Sequence, residues 1–459
     1  MVAHWIDRAL AAAAEAECIV LVDESSEANL RWANNALTTN GQMHDRAITV
    51  HVLAEVEGGT AVGSVSGPLT TDTDVEALVR RARASAVSGE PAADPAPLVA
   101  EGVDADFAEP AAATAITALA DFATGLGGLL ASFGAAGDRL FGFAEHRLTT
   151  TWVATSAGAR RRHVQPMGRV EINAKRPATG ASAWVGQYSS DFTDSDLTGH
   201  AAELNRRLDW ARTTIDLEPG RYETLLPPGA VADLLIYAYW MMSAKDAAEG
   251  RTVWAQKGAT STRIGERLSP QAIELRSDPA HPGIEQAPFA AVHAAVSGEL
   301  SVFDNASPVG ARSWIADGVL TDLFRTRAYA EANGGRFAYP TSNLIMDAAG
   351  TASLEDMIAR TERGLLLTCL WYIREVDPET LLLTGLTRDG VYLIEDGKVV
   401  GAVNNFRFNE SPVDLLGRIT EIGVSAQTLC REWNDYFTHT VMPPVRVPDF
   451  HMSTVSQAS

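Results

Sequence analysis

Residues 391–408 read VYLIEDGKVVGAVNNFRF. Two short apolar, β-branched runs flank Asp396-Gly397, the dipeptide that supplies the positive φ angles of a two-residue hairpin. Val391–Glu395 and Val399–Phe408 are therefore expected as paired strands. Further strands are expected at Ala272–Ser277, Gly364–Ile373 and Thr380–Thr387, and a helix at Val413–Ile422. An unusually apolar helix, Ala230–Ser243 (AVADLLIYAYWMMS), precedes them. The composition changes near residue 220, where Glu218-Pro219-Gly220 and Pro227-Pro228-Gly229 break the chain. Residues 221–459 thus read as a β-rich domain with a few helices, a sandwich or a barrel.

Residues 1–220 read differently. Helical spacing over 3–17 is followed by strand character at Cys18–Asp23, Asn29–Asn34, Ala47–Glu57 and Gly59–Ser66. Thr71-Asp72-Thr73-Asp74 then opens a helix through Val75, Leu78, Val79 and Ala82. The pattern recurs about 120 residues later. Strands are expected at Arg147–Ala157, Gly168–Ala174 and Ser182–Tyr188, and Thr193-Asp194-Ser195-Asp196 opens a helix through Leu197, Ala201, Leu204 and Leu208. Each unit has a strand ending in Val-Gly, a short loop, T-D-[TS]-D and a helix. Two half-repeats, about 1–87 and 115–220, are expected in one N-terminal α/β domain, with Ala115–Phe133 helical. Residues 88–114, with Pro91, Pro95, Pro97 and Pro110, form an extended surface connection. The fold class is α+β.

The chain has 459 residues, two or three domains' worth at about 100–200 residues each. Its 37 Lys+Arg against 58 Asp+Glu give a net charge of −21, which opposes binding to a polyanion. Cys18, Cys369 and Cys430 lie far apart and form no C-x-x-C pair, so a reducing, cytoplasmic setting is expected. The first twenty residues carry Asp7, Glu15 and Glu17 in their apolar part and read as a helix rather than a signal peptide. The longest uninterrupted apolar run, Leu234–Met242, is short for a membrane span, and none is expected.

Local catalytic motifs are missing. No two of the ten histidines stand two, three or four positions apart, so no single helix face aims two imidazoles at one zinc. There is no G-x-x-x-x-G-K-[ST] phosphate loop and no G-x-S-x-G elbow. Gly125-Leu126-Gly127-Gly128 lacks a preceding strand and reads as a helix-breaking turn. Arg160-Arg161-Arg162-His163, a run of four basic residues, reads as a solvated hairpin face, with an anion or partner contact as the alternative. Tyr237, Tyr239 and Trp240 are candidates for lining a substrate chamber; packing into a core is the alternative and the commoner fate of such residues. Cys430, a lone cysteine before Arg431-Glu432-Trp433, reads as a buried inert thiol.

An ordered set of segments carries a resemblance. Trp314-Ile315-Ala316-Asp317-Gly318-Val319-Leu320, Pro340-Thr341-Ser342-Asn343-Leu344, Ser353–Arg363 with Gly364-Leu365-Leu366-Leu367-Thr368, and Gly390–Val403 followed by Asn404-Asn405-Phe406-Arg407-Phe408-Asn409 resemble, in order, motifs of the TldD/PmbA (TldE) family of metallopeptidase-like proteins. In that family's catalytic branch an early helix of the C-terminal domain carries H-E-x-x-x-H, and a late cysteine completes the metal site. Here the matching helix is Ala230–Ser243, with neither histidine nor glutamate, and Cys430 falls where the late cysteine belongs, as a vestigial metal position. The chain therefore resembles the TldE/PmbA-type subunit. Asp304-Asn305-Ala306-Ser307-Pro308 also departs from the family's more acidic loop.

The resemblance implies a non-catalytic subunit with no catalytic residue and no metal or cofactor of its own. Its partner would be a TldD-like homologue carrying H-E-x-x-x-H and the zinc. The pair would form a heterodimer enclosing a chamber for unfolded or flexible peptides, which this subunit binds along an open strand edge. Neither nucleic acid nor membrane is an expected partner. Two alternatives stand beside it: a peptide-binding or carrier module without proteolysis, and a stand-alone hydrolase using Cys430 with His439 as thiolate and base.

Overall fold

In the N-terminal region the chain builds the same series twice. First come α1 (Val2–Ala13), β1 (Cys18–Ala33), β2 (Ala36–Val56), β3 (Gly59–Pro68) and α2 (Val75–Val87). Then, after a 3-10 turn at Ile116–Leu119, come α3 (Ala120–Ala135), β4 (Arg139–Thr155), β5 (Arg160–Arg176), β6 (Ala181–Tyr188) and α4 (Leu197–Trp210). The strands form one antiparallel sheet in the order β3-β2-β1-β4-β5-β6. The computed structural model that shows this describes residues 2–71, 73–296 and 298–456. Asp72 of the first T-D-x-D lies outside the described residues.

The last Asp of each T-D-x-D caps its helix: Asp74 accepts from the Ala77 N–H and Asp196 from the Gly199 N–H, both at 2.8 Å. The two Val-Gly pairs serve different ends. A Cβ at Gly63 would stand 1.9 Å from the Ala82 carbonyl, so glycine lets α2 lie directly on β3. A Cβ at Gly186 would instead strike the Trp184 ring.

Period-two alternation in β1 decides what covers the sheet. Cys18, Val20 and Val22 point to one face and are buried under α1 and α2; Ala28, Leu30 and Trp32 point to the same face and are buried under α3 and α4. Between them Glu24 and Ser26 interrupt the apolar stripe, and here the connection crosses, with the Thr114 N–H donating to Ser26 Oγ at 2.8 Å. On the opposite face Ile19 and Leu21 pack with Phe289, Val292 and Phe303 of the C-terminal domain. The rest of that face is polar, through Ser25, Glu27, Asn29 and Arg31.

Connection 88–114 is extended but not merely superficial. Leu98 is buried in the interface with the C-terminal domain, and Val99 O accepts from Thr155 Oγ1 at 2.6 Å. Its clamp is the basic cluster. Asp104 accepts from Arg161 Nη1 (3.0 Å) and from the Arg162 N–H (2.8 Å), and Arg162 reaches Asp106 (2.6 Å) and the Pro110 carbonyl (2.7 Å). Arg160–His163 is thus neither a solvated face nor a free anion site: Asp104 and Asp106 engage Arg161 and Arg162, backbone carbonyls engage Arg160, and Gln165 engages His163. Gly125–Gly128 lies inside α3 and breaks nothing. Together with the preceding turn, α3 makes Ile116–Ala135 the one described helix long and apolar enough to cross a membrane; Phe122, Leu126, Leu129, Leu130 and Phe133 pack it onto the sheet.

The C-terminal half opens with β7 (Thr214–Ile215), β8 (Gly220–Leu226), α5 (Pro228–Trp240), α6 (Ala244–Ala248), β9 (Glu274–Ser277), β10 (Arg312–Ala316), β11 (Val319–Leu320), α7 (Arg327–Asn333) and β12 (Asn343–Asp347). It continues with α8 (Leu354–Ala359), β13 (Arg363–Leu367), β14 (Leu370–Asp377), β15 (Leu382–Thr387), β16 (Val391–Glu395), β17 (Lys398–Val403), β18 (Phe406–Glu410), α9 (Pro412–Arg418), β19 (Glu421–Ile422), β20 (Ala426–Thr428), β21 (His439–Met442) and β22 (Val445–Val455). One sheet runs β11-β10-β9-β12-β21-β20 and the other β14-β15-β18-β22-β8-β13-β16-β17-β7, with β19 beside β22. Both contribute to one core wrapped around α5, a sandwich-like arrangement with a helix inside.

The Asp396-Gly397 hairpin forms, both residues at positive φ. Two expected strands divide. Gly364–Ile373 breaks at Thr368-Cys369, where Thr368 N–H and Oγ1 both turn to the Gly390 carbonyl. Val399–Phe408 breaks at Asn404-Asn405, Asn404 Oδ1 accepting from the Leu217 N–H at 2.7 Å. The expected helix Val413–Ile422 stops at Arg418, because Ile419 turns extended and β19 joins β22. If Asp104 is what holds the connection down, Asp104→Ala removes two hydrogen bonds worth about 1 kcal/mol each. Limited proteolysis should then nick the 88–114 segment faster than in the parent chain while the two domains remain intact.

Candidate functional site

Helix α5 is buried along almost its whole length: Ala230 to Ile236, Ala238 and Tyr239 are all inside. Such a helix must be apolar all round, and its one acid, Asp233, is therefore costly unless partners are supplied. They come from the loop after β20. Asp233 Oδ1 accepts from the Glu432 N–H (2.8 Å), Oδ2 from the Arg431 N–H (3.2 Å), and its backbone carbonyl from Trp433 Nε1 (3.1 Å). Burial dominates the electrostatics, helped by the Glu432 carboxylate, and pushes the Asp233 pKa up to about 8 against the two N–H donors and Arg431.

The same loop reaches the N-terminal sheet. Arg431 donates to Glu171 of β5 at 3.3 Å, and its guanidinium lies 4.3 Å from the Trp371 ring centroid and 5.2 Å from that of Trp184. Glu171 also accepts from Trp184 Nε1 at 2.9 Å. Burial raises its pKa even against Arg431, Trp184 and Arg169. One register step along the same face of β5, Arg169 donates to Asn434 Oδ1 at 2.7 Å and pairs with Glu145 and Asp435. The face of the sheet left polar by its alternation is thus where the loop after β20 docks.

The aromatic candidates separate. Tyr239 is only 1% exposed; its hydroxyl donates to the Thr341 carbonyl (2.9 Å) and accepts from Ser277 Oγ (3.1 Å), and its ring sits edge-on to Trp314, Phe324 and Phe437. It reaches no surface, so as chamber lining it is corrected to core. Tyr237 and Trp240 are half-buried and pack edge-on with Trp433, at 5.0 Å between centroids in each case. The Tyr237 hydroxyl meets the Glu375 N–H on β14, while the Glu432 carboxylate takes the Tyr372 and Ile373 N–H groups at 2.8 and 2.9 Å. Strand β14 is an edge of its sheet, and these side chains cap it.

Cys430 is fully buried, its thiol donating to the Phe437 carbonyl at 3.1 Å, and burial with the nearby Asp233 raises its pKa well above the ordinary thiol value. His439 is likewise buried; desolvation lowers its pKa to about 4, Nδ1 shares a hydrogen bond with Thr438 Oγ1 (2.9 Å), and its ring lies against Tyr188. A neutral thiol and a neutral imidazole with partners of their own are the reverse of an activated thiolate–imidazolium pair. Zinc does not fit either. Helix α5 offers no histidine or glutamate, Asp233 is engaged with the loop, Cys430 is protonated, and among the described residues no three His, Cys, Asp or Glu side chains converge. In the loop that lacks the extra acid, Asn305 closes the turn on itself, donating to Val292 O and Val302 O at 2.9 Å. Its neighbour Asp304 accepts from Arg327 Nε at 3.1 Å.

Asp233 was detectable in sequence as the lone acid of an apolar helix; Glu171, Arg169 and Arg431 gave no comparable signal. Replacing Asp233 with Ala leaves two buried N–H groups without an acceptor and should cost about 2–4 kcal/mol in denaturant unfolding. The folded chain holds the Asp233 proton to about pH 8, whereas an unfolded aspartate releases it near about 3.9. The stabilisation by the protonated form is complete below the unfolded value and lost as pH rises toward the folded one. Asp233→Asn, which does not titrate, should therefore be less stable than the parent chain at acid pH but lose less stability between about pH 5 and about pH 8; equal slopes would show that Asp233 does not take up a proton on folding.

Comparison with known proteins extends the picture. The chain matches the model of the PmbA/TldA metallopeptidase C-terminal domain over residues 219–454 and that of PmbA/TldA metallopeptidase domain 1 over residues 18–86. No curated protein matches it. Among solved structures it is similar to TldE from Thermococcus kodakarensis, at 15% identity and a TM-score of 0.80, covering 99% of this chain and 100% of that one. It is also similar to candidate modulators of DNA gyrase from Thermotoga maritima (16%, TM-score 0.76, 98% and 100% covered) and Bacteroides thetaiotaomicron (15%, TM-score 0.75, 99% of each chain). At these identities the structures establish the fold, and the C-terminal domain model, spanning just over half of the residues, establishes the family: the chain belongs to the TldD/PmbA family of metallopeptidase-like proteins.

Proposed function

We propose that this chain is the non-catalytic, TldE/PmbA-type member of a two-chain cytoplasmic metallopeptidase, in which a TldD-like homologue carries H-E-x-x-x-H, the zinc and the base. One observation supports this reading above others. The acid that α5 offers is spent on holding the Cys430–Trp433 loop, so the helix that would face a metal is given over to architecture. The substrate in this reading is an unfolded or flexible peptide. The chain's role is to shape the enclosure and support the partner; peptide bond cleavage takes place on the partner. A carrier module without proteolysis has no feature of the site in its favour.

Purified alone, the chain should hold substoichiometric zinc by elemental analysis and leave an unstructured peptide intact. Mixed with a homologue from the same organism that carries H-E-x-x-x-H, it should co-elute in size-exclusion chromatography and raise cleavage above that of the homologue alone. One tightly held zinc per isolated chain, or chelator-resistant cleavage by the chain alone, would overturn the proposal.

A further inference from the structure

The longest strand of the molecule is only half covered. β2 pairs with β1 from Ala36 to Val52, but its outer neighbour β3 (Gly59–Pro68) pairs only with Ala47–Val56. The Arg46 carbonyl accepts from the Leu69 N–H. Before it, among the described residues, no strand, bridge or backbone hydrogen bond reaches the outer edge of Ala36–Asp45. This stretch, ALTTNGQMHD, is almost wholly exposed, with Leu37 at 55% and Met43 at 61%.

Open edges are ordinarily blunted by lysine, proline, a bulge or side-chain caps. Edge strand β14 is capped by Glu432 and Tyr237. The open half of β2 has no Lys or Pro and a single carboxylate, Asp45. Its one irregularity lies near the tip, where Arg31 faces Thr39 and Trp32 faces Leu37, leaving Thr38 as the extra residue. Beyond it Thr39–Asp45 runs regularly, Thr39, Gly41, Met43 and Asp45 on one face and Asn40, Gln42 and His44 on the other.

We infer that this edge is a self-pairing surface and that its occupant is the same strand of a second copy of the chain, antiparallel, with Gly41 on the two-fold axis. The sequence is complementary to itself in that register. Asn40 stands opposite Gln42 of the second copy, side-chain amide to side-chain amide, and this occurs twice; Met43 stands over Thr39, also twice. Paired residues share a face, as antiparallel pairing requires. Two chains of net charge −21 repel, but screening confines that repulsion to about 8 Å at physiological salt. The contact is made where each contributes one carboxylate, Asp45, placed outside the central pairs. The two six-stranded sheets become one continuous sheet with an isologous interface. This holds whether or not the chain also meets a catalytic homologue.

Sedimentation equilibrium of the full chain, from micromolar to submillimolar concentration, tests it. The weight-average mass should climb from one chain toward two, and the amides of Thr38–His44 should gain protection from hydrogen exchange over the same range. Thr39→Lys with Gln42→Lys places like charges across the dyad and should weaken association about tenfold or more, with the melting temperature unchanged when it is measured at a concentration where the parent is monomeric. Val87→Lys, exposed on α2 away from the edge, should associate as the parent does. A mass that stays at one chain overturns the inference. So does a dimer that survives the double lysine variant, or protection of Thr38–His44 that appears only when an extended peptide or a catalytic homologue is added.

Discussion

A buried carboxyl group, that of Asp233, fixes the arrangement of the C-terminal half. Asp233 lies inside a helix that has no exposed face at that position, so its oxygens must find donors within the protein or the helix cannot be buried there. The N–H groups of Arg431 and Glu432 are those donors, and accepting them sets the path of the chain from Cys430 onward. Once the loop is held, Glu432 is directed at β14, Trp433 at Tyr237 and Trp240, and Arg431 at Glu171 across the domain boundary. One helix position thereby links the inner helix, an edge of one sheet and the polar face of the other.

This use of a buried acid differs from a metal site in what its neighbours must be. A zinc ligand set needs several deprotonated donors converging with one position left open. Around Asp233 the electrostatics run the other way: Cys430 and Glu171 both have raised pKa values because burial is not offset by enough positive charge. Arg431 is the one cation that reaches Glu171 from the loop, and it is also sandwiched by Trp184 and Trp371. The centre is suited to holding two domains in register rather than to activating water.

Much of the fold was readable because the N-terminal half obeys strong local rules. Alternation in β1 and β4, T-D-x-D caps and the Asp396-Gly397 turn each specify structure within a few residues. What escaped depends on partners distant in sequence. The strand Val445–Val455 contains Pro448, which argues against a central strand; it is accommodated because the register with β8 shifts between Val447 and Phe450. The break at Asn404-Asn405 is set by Leu217, nearly two hundred residues away. The site divides in the same way. Asp233 was passed over although an acid in so apolar a helix is a readable signal, whereas Tyr239 looked identical in pattern to Tyr237 and became core only because Ser277, Thr341 and Trp314 surround it.

The asymmetry between the two half-repeats is itself informative. If duplication alone shaped the sheet, both Val-Gly glycines would serve the same contact and both outer hairpins would be closed alike. Instead Gly63 admits a helix backbone and Gly186 admits a tryptophan ring. In the second unit, the connection and the C-terminal domain take up the part of β5 that β6 leaves uncovered, through the Val103–Arg160 bridge and the hydrogen bond from Gln165 to the Glu285 carbonyl. In the first unit, β2 extends beyond β3 with no such cover. A sheet built from two like halves around β1 and β4 has therefore been closed by its own chain on one side only. The difference traces to where the C-terminal domain sits, against Ile19, Leu21 and the polar face of β5 rather than against the tip of β2.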